Sequence, residues 1–269
     1  GVTRKEPGMC HHSCPKPVTG GAPLKEAMAT VSRDDAEIPV LLIQPENVDN
    51  PLPGIILIHD IWGANDFYHD VARRLANEQY AVALPNLFHR EGPLSEETRD
   101  AARQRGASAW QDDQIADLDA VTTWLLQQDG CDGRYAVIGF CMGGTLAMLL
   151  AAREPTPTAT VPFYGFPAKD ATENAPIRPI DESEVAALNA PLLGIWGEED
   201  SGVGMDNVKA YDEALVRHRK LHDFVVYPEV GHGFLTFDQA DAGYETSQLA
   251  WQRAITFLDE QFNPEPFGT

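Results

Sequence analysis

The chain has 269 residues, 20 Lys and Arg against 41 Asp and Glu, and a formal net charge of −21. Its 43% hydrophobic and 23% charged residues suit a soluble chain with one sizeable core. Such an acidic surface repels phosphate backbones and anionic lipid, and no apolar run reaches the roughly 18 to 20 residues a bilayer demands, so neither nucleic acid nor membrane is expected as a partner.

Four cysteines, Cys10, Cys14, Cys131 and Cys141, show no disulfide-framework spacing. A reducing, cytoplasmic setting is therefore expected. Residues 1–24 lack periodicity and read as an extended arm, followed by a single domain over 25–269. Within the arm, Cys10-His11-His12-Ser13-Cys14 brings four possible metal ligands together. Structural zinc sites usually draw ligand pairs from two segments, and no second pair follows, so no metal or cofactor is assigned. A non-catalytic metal-binding role for this segment stands as an alternative function.

Lys25–Ser32 and Ile38–Gln44 read as a hairpin around Arg33–Ala36, with Pro39 placing the second strand near an edge. Gly54–His59 is a short apolar run of the kind buried on both faces in a parallel sheet. A helix over 66–79, a strand over Tyr80–Leu84 and mostly helical residues 95–127 follow. Asp129–Gly133 reads as a turn cluster, Tyr135–Gly139 as a third buried strand and Gly143–Arg153 as a helix. Thr158–Phe163 and Leu192–Trp196 are further strands, with residues 167–190 a loop excursion between them. Residues 206–219 form a helix, His222–Tyr227 a strand and Glu245–Phe262 a closing helix. Repeated βα units behind an N-terminal hairpin predict an α/β fold, doubly wound and mostly parallel, with helices on both faces.

The sharpest motif is Gly139-Phe140-Cys141-Met142-Gly143, set between the apolar strand and a helix. It is a G-x-nucleophile-x-G elbow with cysteine as the nucleophile. The glycines are demanded sterically, because side chains there would strike the adjoining strand or helix. At a helix start the sulfur meets the positive end of the dipole, which favours the thiolate. The Met142 N–H supplies half of an oxyanion hole. The competing reading is a plain turn with a buried cysteine, and an accessible low-pKa thiol could also serve redox chemistry.

A nucleophile–acid–base chain order then points to two later loops. Gly197-Glu198-Glu199-Asp200 follows one strand and Gly231-His232-Gly233-Phe234 another. His232 is the expected base and Asp200 the acid that orients it, with Glu198 and Glu199 as competing neighbours. Seven other histidines, His59 among them, lack a late glycine-flanked loop.

Over residues 25 to 262 these motifs, together with Ile58-His59-Asp60-Ile61-Trp62-Gly63 and Gly144, resemble the dienelactone hydrolase (carboxymethylenebutenolidase) family of the α/β-hydrolases. The resemblance implies a cofactor-free Cys–His–Asp hydrolase of a small-molecule ester or lactone, a monomer or small homo-oligomer, working through a thioester. It places Asp60 where the family carries a thiol-gating glutamate, and assigns the Ile61 N–H as second oxyanion donor. Of the family's two substrate-carboxylate arginines, Arg90 in Leu87-Phe88-His89-Arg90 matches one; Thr236 stands in place of the other. A hydroxyl does not reproduce a bidentate guanidinium, which keeps a neutral small-ester or thioester substrate open as an alternative. For Arg90 the competing reading is a salt bridge. Trp62, Phe140, Phe163 and Tyr164 are either pocket lining or ordinary core.

Overall fold

The computed structural model describes residues 21, 23–109, 111–167 and 180–266. The Cys10–Cys14 segment lies outside the described residues. In chain order the elements are β1 (Leu24–Arg33), β2 (Ala36–Pro45), β3 (Leu52–Ile58), α1 (Asp66–Asn77), β4 (Ala81–Pro85), α2 (Arg99–Ser108), α3 (Gln111–Leu126), β5 (Cys131–Phe140), α4 (Met142–Leu150), β6 (Ala159–Phe163), α5 (Glu182–Ala186), β7 (Leu192–Gly197), α6 (Met205–Arg217), β8 (His222–Tyr227) and α7 (Tyr244–Phe262).

The eight strands form one sheet in the order β1-β2-β4-β3-β5-β6-β7-β8. The hairpin β1–β2 is antiparallel and joins β4 antiparallel; β4 through β8 run parallel. Period-two alternation on the central strands feeds two cores. Ile55 and Leu57 of β3 and Ile138 of β5 face Tyr68, Val71 and Leu75 of α1 and Leu258 of α7. Ile56, Ile58 and Val137 face Leu118, Val121 and Leu125 of α3 and Leu146 and Leu150 of α4. Helices thus cover both faces, the α/β architecture expected, and the three α3 side chains sit at the helical spacing read from the sequence.

Several boundaries differ. The first strand opens at Leu24, one residue inside the expected arm. Pro39 lies on β2, which sits next to the edge strand β1, near an edge as expected. Its carbonyl accepts from Asn86 N–H at 2.9 Å, so its missing donor faces the end of β4, where the β2–β4 ladder has stopped. β5 starts at Cys131, not Tyr135, because a register shift between Leu52 and Gly54 lets part of the turn cluster pair with β3. The expected 167–190 loop carries the one-turn helix α5, capped by the Asp181 carboxylate on the N–H groups of Ser183 and Glu184.

Candidate active site

Open parallel sheets build sites beyond the carboxyl ends of their strands. Here β3, β5, β7 and β8 deliver Asp60, Cys141, Asp200 and His232 to that end. Between β5 and α4, Cys141 takes φ 59°, ψ −116°, a conformation rarely open to a side-chain-bearing residue. The turn is held by Cys141 N–H to Phe163 C=O at 2.9 Å and by Gly144 and Thr145 N–H to Cys141 C=O at 2.9 and 3.1 Å. A Cβ at 139 would lie 1.9 Å from the Gly143 oxygen, and one at 143 would lie 2.5 Å from the carbonyl oxygens of Ile58 and His59. The steric demand read from the motif is met on both flanks.

His232 Nε2 lies 3.1 Å from Cys141 Sγ, and Nδ1 lies 2.7 Å from Asp200 Oδ2. Asp200 is buried, and its other oxygen accepts from Val203 N–H at 3.0 Å. Glu198 and Glu199 are exposed, which separates them from Asp200. Burial alone would lower the His232 pKa; the negative charge of Cys141 and the Asp200 hydrogen bond outweigh it and raise it to about 10. A proton on the imidazole is thus favoured beside a Cys141 thiolate, and the arrangement supports a thiolate–imidazolium pair.

Asp60 is fully buried, with Oδ1 accepting from Trp62 N–H at 2.8 Å. Burial, and then the negative charge of Cys141, push its carboxyl well above the usual range, against the opposing pull of the Tyr68 hydroxyl, the Trp62 N–H and His232. A neutral Asp60 puts no second anion against the sulfur. Tyr164, fully buried, presents its ring edge-on to His232 with centroids 5.3 Å apart, and Phe166 flanks the same imidazole at 5.2 Å. Trp62 is buried in the core that reaches the site. Phe140 and Phe163 are core residues, stacked on each other at 4.7 Å.

Arg90 and Thr236 already have partners within the chain. The Arg90 guanidinium binds Asp117 bidentately, at 2.6 and 2.8 Å. Asp117 is buried and also takes Arg33 at 3.0 Å and His89 at 2.9 Å, so its negative charge is what captures Arg90. The Thr236 hydroxyl donates to Asp241 Oδ2 at 2.5 Å and accepts from Asp238 N–H, which spends it on the turn before α7. The family's second clamp arginine is absent at Thr236, as the sequence indicates, and the one matching arginine, Arg90, is paired with Asp117.

Two residues to which the sequence assigned no role stand beside the site. His59, at the end of β3, is fully buried, with Nδ1 2.7 Å from the Asp60 carbonyl and Nε2 3.0 Å from Leu87 N. Arg105 of α2 donates to the Ile61 carbonyl at 3.1 Å and lies over the Phe88 ring at 4.3 Å. An Asp or Gly beside a strand end flags the His59 region in the sequence, but nothing local ties a helix arginine to residue 61. Among the described residues no group of three or more His, Cys, Asp or Glu could hold a metal ion.

An eight-stranded, mostly parallel sheet with a strained strand–helix turn at Cys141 after β5 and the Asp200 and His232 loops after β7 and β8 is the architecture of an α/β-hydrolase. The model of the dienelactone hydrolase family matches residues 38–262, and the chain belongs to that family of carboxylic-ester and lactone hydrolases. An Escherichia coli protein named "Putative carboxymethylenebutenolidase" is 31% identical over 225 residues, covering 83% of this chain and 82% of its own. The carboxymethylenebutenolidase of Rhodococcus opacus is 28% identical over 254 residues, covering 93% and 96%. The crystal structure of a "Putative Dienelactone Hydrolase" from Klebsiella pneumoniae superposes with a TM-score of 0.79 at 29% identity, covering 88% of this chain and 99% of that one. No helix among the described residues is long and apolar enough to cross a membrane.

Proposed function

We propose that this hydrolase works through a Cys141–His232–Asp200 triad and a thioester acyl-enzyme. The observation that carries the reading is the unbroken relay from sulfur to imidazole to buried carboxylate, at 3.1 and 2.7 Å. The Cys141 thiolate attacks the carbonyl carbon, and the N–H groups of Ile61 and Met142 hold the oxyanion. Collapse breaks the acyl C–O bond, and the leaving alkoxide takes the His232 proton. Neutral His232 then removes a proton from water as the hydroxide attacks the thioester. The thiolate is expelled, the acid departs and the ion pair is restored. Asp200 holds the imidazole in one tautomer throughout. Asp60 stands where the family carries its gating carboxylate, and in its neutral form it lets the thiolate–imidazolium pair persist beside it.

The wider setting follows the same reading: one catalytic domain over 25–269, supported by the single sheet, and a cytoplasmic location, consistent with the free thiols of Cys131 and Cys141. A small neutral ester or thioester is favoured over a carboxylated lactone, because Arg90 and Thr236 are committed to Asp117 and Asp241.

The test is turnover of p-nitrophenyl acetate and of matched neutral and carboxylated lactones by wild type and Cys141→Ala. Turnover by the variant is expected to fall by about 10³-fold or more, as when a nucleophile is removed from its triad. Wild-type rates in the variant would reject the nucleophile. A marked preference of wild type for carboxylated lactones would reject the neutral-substrate reading alone.

A further inference from the structure

An oxyanion donor is useful only if it is aimed before the substrate arrives, since reorienting a peptide during reaction costs much of what it supplies. The Ile61 N–H belongs to the Asp60–Ile61 peptide, whose carbonyl points the opposite way across a trans bond. Whatever fixes the Asp60 carbonyl therefore aims the Ile61 N–H.

That carbonyl receives His59 Nδ1 at 2.7 Å and Gly63 N–H at 3.1 Å. The ring has a single possible protonation state here. Leu87 N–H can only donate, so His59 Nε2 must be bare; the Asp60 carbonyl can only accept, so Nδ1 must carry the proton. Burial, together with the Arg105 cation and despite the Asp60 carbonyl, lowers the His59 pKa to about 4, in keeping with a neutral ring. The carbonyl on the other side, that of Ile61, is taken by Arg105 at 3.1 Å. Phe88 stands between the two side chains, 5.2 Å from the His59 ring and 4.3 Å beneath the Arg105 guanidinium. Trp62 N–H is held by Asp60 Oδ1. None of these bonds draws on the Ile61 N–H.

We propose that His59 and Arg105 are positioning residues that aim the Ile61 N–H into the oxyanion hole by holding the carbonyls before and after it. The inference rests on the Cys141 mechanism above. It separates two reactions of the same sulfur. Acylation by p-nitrophenyl acetate passes through an oxyanion, whereas alkylation by iodoacetamide is displacement at a saturated carbon and builds none.

The experiment compares, in full-length protein, the pre-steady-state acylation burst with the rate of iodoacetamide alkylation mapped to Cys141 by mass spectrometry. In His59→Leu the acylation rate is expected to fall about 10- to 100-fold, somewhat less than for deleting an oxyanion donor outright. Alkylation should stay within about twofold, because the thiolate–imidazolium pair is untouched. His59→Asn, whose amide nitrogen matches the Nδ1 position, should recover most of the acylation rate. Arg105→Met should show the same selective loss, smaller in size. Equal loss of both reactions in His59→Leu, or an unchanged acylation rate, would overturn the role of His59. The same two outcomes in Arg105→Met decide that residue even if His59→Leu does not fold. A burst persisting in Cys141→Ala would instead reject the nucleophile, an outcome distinct from any of these.

Discussion

Asp60 has no exposed surface, and burial, then the Cys141 charge, push its carboxyl pKa well above the usual 3.8. The sign of the consequence is fixed by linkage. Above pH 3.8 the unfolded chain has released this proton while the folded chain retains it, so stability falls as pH rises from there. Asp60→Asn keeps the oxygen that accepts from Trp62 N–H and cannot ionise in either state. It is expected to raise the Tm at pH 7, by about 2–4 °C for each kcal/mol relieved, with the gain fading as pH drops to 4 and below. Calorimetry at the two pH values checks it; an equal shift at both would contradict a protonated Asp60. At this scale the sequence reading named Cys141, His232 and Asp200 from turns just beyond strands, and the structure brings the three side chains into one relay. The partners of Arg90 and Thr236, Asp117 and Asp241, were not legible, because no local pattern displays them.

The β5–α4 elbow couples backbone strain to catalysis. Its geometry holds only while Gly139 lies against Gly143, where an added Cβ would sit 1.9 Å from backbone oxygen that has no rotamer to yield. Gly139→Ala is expected to destabilise the fold by more than about 3 kcal/mol, the range of severe steric disruption, and to abolish activity. Chemical denaturation and the acylation burst together check this; a stable variant with a normal burst would show that the elbow relaxes freely. Elements of strong periodicity or continuous apolar character, such as α3, β3 and β7, were legible in the sequence because burial demands those patterns. The start of β5 at Cys131 was not, since turn residues entered the sheet only through a register shift against β3. The helix α5 was hidden among acidic and proline residues, its sign being a capping aspartate.

Across the whole molecule, Asp117 ties the hairpin, the segment after β4 and α3 together through Arg33, His89 and Arg90. Burial would raise its pKa, yet the hydrogen bonds of Arg90, His89 and Arg33 prevail and lower it. A depressed carboxyl contributes stability that is present above the unfolded value of 3.8 and lost as pH falls through the folded one. Asp117→Asn is therefore expected to be destabilised near neutral pH by about 3–5 kcal/mol, the range seen when one partner of a buried ion pair is removed. The gap from wild type should close below pH 3.8 in denaturant titrations. A gap independent of pH would place the contribution in packing and not in charge.

The amino-acid pattern alone determined the sheet-and-helix architecture, the family and the strand ends that carry sulfur, imidazole and carboxylate, since hydrophobic period and turn chemistry are local. Only the tertiary structure decided where the cations went and which side chains brace the Asp60–Trp62 backbone. Those choices depend on charges and hydrogen-bond donors arriving from distant elements, Asp117 of α3 for Arg90 and Arg105 of α2 for Ile61, and a buried charge or carbonyl takes whichever partner packing brings within reach.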